Sequence, residues 1–271
     1  MQQGDSLNNL TTAGLTKRFG TLTAVDGMSI SIAEGEFFGL LGPNGAGKTT
    51  AIKMLITLLP PTAGDARVAG YDIRTQASEV RRHIGYVPQL LSADGQLTGY
   101  ENLVIFAKLF DVPRSEIRSR ADDALGFMGL QDAADILVRK YSGGMIRRLE
   151  IAQSMLHRPQ VLFLDEPTLG LDPVARRTVW EHLIKLQDDF KTTIMMTTHY
   201  MDEADKLCDR VAIMQLGKVV AIGTPEQLKR SIGKEDATLD EVFTHYTGGS
   251  LESAGGYRET SRIRRTGRRV G

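Results

Sequence analysis

One octapeptide, Gly42-Pro43-Asn44-Gly45-Ala46-Gly47-Lys48-Thr49, constrains this chain more than any other feature. The run from Glu36 to Leu41 before it reads as a buried strand. Thr49 to Leu59 follows with apolar residues at helical spacing, and Pro60 and Pro61 end that predicted helix. A strand, a glycine-rich turn and a helix in this order form a phosphate-binding loop. Glycines let backbone N–H groups curl around an anion without a Cβ clash, and the helix N-terminus adds positive potential. Lys48 can reach β- and γ-phosphates, the Thr49 hydroxyl can ligate Mg2+, and Thr50 offers a further phosphate contact.

The remaining pattern supplies an α/β frame for that loop. Residues 11–41 and 62–88 read as short strands and turns. Over 97–139, Leu103, Ile105, Phe106, Leu109 and Phe110, then Ala121, Ala124, Leu125, Phe127 and Met128, fit amphipathic helices, a helical insertion. Val161-Leu162-Phe163-Leu164 is a continuous apolar run, the pattern of a strand covered on both faces, and 194–198 and 211–214 are two more. Helical stretches at 173–187 and 202–208 between them predict βαβ units with parallel strands.

Asp165 and Glu166 emerge where the first of these strands ends, which is where open α/β sheets bind ligands. Asp165 suits a direct or water-mediated Mg2+ contact, and Glu166 suits the base that orients an attacking water. His199 follows another strand end. Tyr141-Ser142-Gly143-Gly144-Met145 precedes a helix with Ile146, Leu149, Ala152, Met155 and Leu156 on one face. Ser142 suits its N-cap and the paired glycines expose its first N–H groups, so the turn reads as a simple capped helix or as a second anion site.

Composition narrows the function classes. Lysine plus arginine and aspartate plus glutamate each number 33, which excludes a wholly basic nucleic-acid binder and an acidic solvating chain. The balance hides a split: 249–271 holds six arginines against Glu252 and Glu259, a net of +4, leaving 27 basic and 31 acidic residues elsewhere. That glycine- and serine-rich tail is predicted to be flexible, with anionic lipid or a membrane subunit as its possible contacts. Cys208 is the single cysteine, which excludes an intrachain disulfide framework and a Cys-rich metal cluster. No apolar run approaches the roughly 18–20 residues that cross a bilayer, and polar Met1 to Asn9 has no apolar core, so a cytoplasmic chain is expected.

Taken together, these motifs resemble the ATP-binding subunit of an ABC transporter. Gly42 to Thr49 is similar to the Walker A loop, Val161 to Glu166 to Walker B with its catalytic glutamate, and Ser142-Gly143-Gly144 to the centre of the ABC signature. Gln89 matches the Q-loop glutamine, Leu171-Asp172 the D-loop and His199 the switch histidine, while Phe19 sits where the family stacks an aromatic on adenine. Tyr141 stands where leucine is usual, Met145 where glutamine is usual, and Phe19 where tyrosine is commoner. Tyr-Ser-Gly-Gly-Met followed by Arg147-Arg148-Leu149-Glu150, with the 224–229 and 238–248 stretches, looks like the daunorubicin-resistance type of ABC-2 exporter subunit.

The resemblance covers about residues 10–230, with a helical subdomain at about 90–158 and a C-terminal extension over 231–271. It implies an α/β phosphate-loop NTPase fold with a parallel β-core, an N-terminal antiparallel β part and an inserted helical subdomain. It further implies catalysis by Glu166, His199 and Lys48, and Mg2+ held by Thr49, Gln89 and Asp165. ATP would touch Phe19, the loop from Gly42 to Thr50 and Gln89 of one copy, with Ser142, Gly143, Gly144 and Asp172 completing the nucleotide sites of a head-to-tail dimer. A separate transmembrane permease at the cytoplasmic face of the membrane would be the second partner, and nucleic acid would not be one. The alternative is a soluble ABC ATPase of translation or DNA repair, but one phosphate loop and a short helical insertion favour the transporter motor.

Overall fold

The computed structural model describes residues 8–234 and 236–248, so the arginine-rich tail lies outside the described residues. Strands β1 (Asn8–Phe19), β2 (Leu22–Met28) and β3 (Ser31–Ala33) open the chain, and β4 (Phe37–Leu41) leads through the glycine loop into α1 (Lys48–Leu55). Next come β5 (Ala63–Val68), β6 (Tyr71–Asp72), α2 (Ala77–His83) and β7 (Ile84–Val87). Helices α3 (Gly99–Leu109), α4 (Ile117–Phe127) and α5 (Gly143–Met155) follow before β8 (Val161–Asp165). The chain then runs α6 (Pro173–Phe190), β9 (Thr193–Thr198), α7 (Met201–Leu207), β10 (Arg210–Gln215) and β11 (Lys218–Gly223). Helices α8 (Pro225–Ser231) and α9 (Leu239–Thr247) are the last elements among the described residues.

Two sheets result. One has the antiparallel order β2-β1-β5-β6, with β3 also paired to β1. The other has the order β11-β10-β4-β9-β8-β7, parallel throughout except for the antiparallel edge strand β11. Every residue of β4, β8 and β9 is buried, which is why these strands read as unbroken apolar runs. Successive side chains still alternate between two cores. Phe37, Leu41, Leu162, Leu164, Ile194 and Met196 face the core shared with α3 to α7. Phe38, Leu40, Val161, Phe163 and Met195 face the core shared with α1 and the antiparallel sheet.

The elements depart from the sequence reading in three places. Helix α1 stops at Leu55, before the prolines: Thr57 takes a left-handed φ of 64°, and Leu58 N and Leu59 N both donate to Lys53 O. Helix α2 lies where strands and turns were expected; its one buried residue is Val80, too little for an apolar period to show. On α3, Leu103 and Ala107 enter the core while Ile105 and Leu109 remain exposed.

Close packing of α7 on β4 depends on Gly39, where a Cβ would lie 2.7 Å from Cys208 Sγ. Burial, reinforced by the charges of Glu203, Asp209 and Glu36, pushes the Cys208 thiol well up. Cys208 is therefore expected to resist iodoacetamide at about pH 8 in the folded chain and to react fully in denaturant. Labelling of the folded chain at the rate of a free thiol would contradict this packing.

Candidate functional site

The strand register brings the predicted site residues together. Leu41 pairs with Thr198 and Asp165 with Thr197, so β4, β8 and β9 end side by side. Gly42 N donates to Thr198 O at 3.2 Å, which starts the loop against β9. Gly47, at φ 107°, is the N-cap of α1; a Cβ there would run into the Ala24 carbonyl and lie 2.9 Å from Met214 Cε. A Cβ on Gly42 would run into the Met214 carbonyl. These two positions need glycine because β2 and β10 press on the loop from outside. Gly217 N donates to Ala46 O at 3.0 Å and completes the brace.

Lys48 is 4% exposed, and its ammonium donates to Gly42 O at 2.7 Å and Pro43 O at 3.2 Å. It also pairs with Glu166 Oε1 at 3.1 Å, while Glu166 Oε2 lies 3.1 Å from His199 Nδ1. Glu166 sits at a left-handed φ of 49°, held by its N–H donating to Thr197 O and Oγ1 at 3.1 and 3.0 Å. Asp165 Oδ1 accepts from Thr197 Oγ1 at 2.6 Å and from Thr49 Oγ1 at 3.1 Å. One cation, two carboxylates, an imidazole and two threonine hydroxyls thus converge at three strand ends.

Above them opens a cleft of about 620 Å³ lined by Phe19, Pro43, Asn44, Gly45, Gly47, Lys48, Thr49, Thr50, Gln89 and Glu166. Gly42 and Ala46 form the loop behind it, and Asp165 lies beneath Thr49. Leu22, Thr23 and Ala24 of β2, with Leu216 and Gly217 of the β10–β11 turn, form walls that the sequence reading did not include. Phe19 is 48% exposed, with Lys17 Nζ 5.1 Å from its ring centroid. The cleft offers an aromatic face at one end and a main-chain anion cradle with a buried ammonium at the other, which fits a nucleoside polyphosphate.

Comparison with known proteins agrees with this geometry. The profile of the ABC transporter family matches residues 25–169. The daunorubicin/doxorubicin resistance ATP-binding protein DrrA of Streptomyces peucetius is 47% identical over 222 residues, spanning 82% of this chain and 67% of the relative. The chain belongs to the ABC transporter family. Another relative, the Nod factor export ATP-binding protein I of Ralstonia nicotianae, is 46% identical over 81% of this chain and 68% of its own. Among solved structures, an ATP-binding subunit of an ABC transporter superposes with a TM-score of 0.78 at 28% identity, covering 88% of this chain and 98% of that one. The cbiO1 protein of Clostridium perfringens, part of the cbiONQ complex, gives 0.75 at 31% identity over 82% and 90%. The chain is thus an ABC-type ATPase of α/β fold.

The stretches that match the ABC signature and the D-loop stand apart from the cleft. Ser142 caps α5 by accepting from Met145 N, and Asp172 caps α6 by accepting from Val174 N and Ala175 N, both side chains being exposed. The two caps adjoin. A Cβ on Gly143 would lie 3.4 Å from Leu171 Cδ2, and one on Gly144 2.8 Å from Ala175 Cβ.

The sequence reading used Arg147 and Glu150 only within the exporter-type stretch and did not foresee that they, or Glu203, are buried. Arg147 and Glu150 pair at 3.0 Å on α5. Glu203 of α7 accepts from Thr168 Oγ1 at 2.8 Å and Trp180 Nε1 at 3.0 Å. Burial raises the Glu203 carboxyl pKa, opposed by hydrogen bonds from Thr198, Thr168 and Trp180. The available signal for Arg147 and Glu150 was opposite charge at i,i+3 on a helix rich in apolar residues.

The departure at Tyr141 has a local cause. Its hydroxyl donates to Ala133 O at 2.6 Å, in space left by Gly99 at the start of α3, where a Cβ would run into that hydroxyl. Gly99→Ala is expected to cost about 1–3 kcal/mol in denaturant unfolding. Gly99→Ala combined with Tyr141→Leu should recover most of that loss; an unchanged cost in the double variant would rule the overlap out.

Proposed function

We propose that this chain is the ATP-hydrolysing motor subunit of an exporter, working as a head-to-tail homodimer on a separate transmembrane permease at the cytoplasmic face of the membrane. The observation that carries the reading is the division of the surface into two half-sites. The phosphate cradle, Lys48 and Glu166 share one cleft, with His199 joined to it through Glu166, whereas Ser142, Gly143 and Asp172 are exposed away from that lining, with Gly144 buried at the same helix start. A second copy supplies what each cleft lacks. Residues 10–230 are in this reading the nucleotide domain, about 90–158 its helical subdomain, and 231–271 the extension.

Drug and Nod factor export are the roles named for the relatives, so export of drug, antibiotic or lipid-like compounds is the cargo class we assign. The translation or repair alternative is not favoured by relatives so named. Among the described residues no helix is long and apolar enough to cross a membrane, which is consistent with a permease made as another chain. Leu90 and Leu91, directly after Gln89, and Ile105 and Leu109, one turn apart on α3, are exposed apolar side chains available to it.

Mg2+ fits the hard oxygen donors Thr49 and Asp165, with Gln89 as a further ligand from the cleft wall. Among the described residues no group of three or more His, Cys, Asp or Glu side chains could hold a metal, so the ion would depend on oxygens of the nucleotide as well. When bound, the ion neutralises charge developing between the β- and γ-phosphates. The chain's own residues do the rest. Phosphate oxygens compete with Glu166 for the Lys48 ammonium. The released Glu166 carboxylate accepts the attacking water's proton, and His199 holds that carboxylate in place.

Glu166→Gln is expected to lower kcat by about 100-fold or more while ATP affinity changes less than about threefold. ATP should then hold the variant as a dimer in light scattering. Turnover near wild type would remove Glu166 from the role of base. Separately, Leu109→Glu should abolish recovery of the chain with its co-expressed permease in membranes, with ATP binding intact; undiminished recovery would place the contact elsewhere.

A further inference from the structure

The polar side of α5 is buried as thoroughly as its apolar side. Arg147 is 1% exposed and Glu150 3%, and both grip the segment that follows β7. Arg147 Nη1 donates to Pro88 O at 2.7 Å and Nη2 to Gln89 O at 2.8 Å. Nη1 also reaches Glu150 Oε2 at 3.0 Å. Glu150 Oε1 accepts from Ser92 N, from Ser92 Oγ at 3.2 Å and from Ala93 N at 3.3 Å. One turn further, Gln153 Nε2 donates to Asn102 Oδ1 at 3.3 Å, which also accepts from Asp94 N at 3.0 Å.

Gln89 lines the nucleotide cleft, yet its carbonyl is held from the helix whose first turn carries Ser142, Gly143 and Gly144. Both ends of the 88–93 segment are tied to that one helix, at positions 147 and 150. A planar guanidinium can hold two successive carbonyls and a carboxylate together; an ammonium is a point donor without that fork. Buried charge of this kind is stable only while every partner stays in place, so the loop and the helix move together or not at all.

We propose that Arg147 and Glu150 are positioning residues that clamp the Gln89 loop to α5. A displacement of Gln89 when nucleotide fills one cleft then sets where the Ser142-Gly143-Gly144 turn lies on the partner copy's nucleotide. The proposal rests on the head-to-tail dimer reading above.

The test is a double-mutant cycle in the full-length chain, combining Gln89→Ala with either Arg147→Lys or the charge-neutral pair Arg147→Gln/Glu150→Gln. With the clamp intact, Gln89→Ala should slow kcat about tenfold; without it, the same change should matter less than about twofold. Each clamp variant alone should lower kcat about tenfold or more with KM for ATP changed less than about threefold, since misplacement of a reacting part costs rate more than binding. Placed in Glu166→Gln, each should raise the ATP concentration needed for dimerisation at least about tenfold. Arg147→Lys keeps the charge beside Glu150 and guards against misfolding of the pair variant.

Multiplicative kcat effects in the cycle overturn the clamp, as does a fall in melting temperature with kcat per folded molecule unchanged. If Glu166→Gln alone fails to dimerise with ATP, the dimer reading fails. The turnover cycle then still decides whether Arg147 and Gln89 act together.

Discussion

The Lys48 ammonium is the interaction on which the rest of the site depends. A buried cation without partners is too costly to keep, and this one is satisfied by two carbonyls of its own loop and by Glu166. Those partners come from the ends of β4 and β8, which are not neighbours in the sheet; β9 lies between them. The loop must therefore arch across β9, and Thr197 and Thr198 bind what passes over, one taking Asp165 and Glu166 N, the other Gly42 N. Strand order, the two threonines and the position of Glu166 are consequences of housing one charge.

The second constraint is steric. Glycine is required at 42 and 47 because parts of both sheets close on the loop, Ala24 from the antiparallel sheet and Met214 from the parallel one. The cleft is accordingly a junction between sheets. Phe19 and the β2 wall come from one and the acid floor from the other. A small shift between the sheets would alter the distance between the aromatic face and Lys48, which suits a ligand with a planar base at one end and charge at the other.

What could be read from the sequence follows from how local the physics is. The phosphate loop, the strand ending in Asp165-Glu166 and the Ser142 cap are contiguous, so each advertised its chemistry in a few residues. The parallel core was legible because burial on both faces removes polar residues from β4, β8 and β9. Helix α2 was hidden because a surface helix with one buried side chain has no period. Ile105 and Leu109 misled in the opposite sense: an apolar stripe states that a face is covered by something, and a single chain need not supply the cover. The burial of Arg147, Glu150 and Glu203 was not legible because charge on a helix ordinarily marks the solvated side. Apart from the Arg147–Glu150 pair itself, the partners are backbone groups or distant side chains that only the tertiary fold brings near.

These buried charges share a location that gives them a common logic. Arg147 and Glu150 join α5 to the loop carrying Gln89, and Glu203 joins α7 to Thr168, two residues past Glu166, and to Trp180 of α6. Each bridges a segment that reaches the cleft to a helix behind it. Apolar contacts in those places would stabilise the fold at least as well, since burying an ion pair rarely gains over packed hydrocarbon. Their advantage is directional. A hydrogen-bonded charge tolerates one arrangement of its partners, whereas hydrocarbon surfaces slide. In a protein whose chemistry depends on placing donors around a phosphate, directional ties behind the cleft carry a displacement of one segment to the next. The open cleft and the exposed Ser142 turn give that displacement somewhere to go.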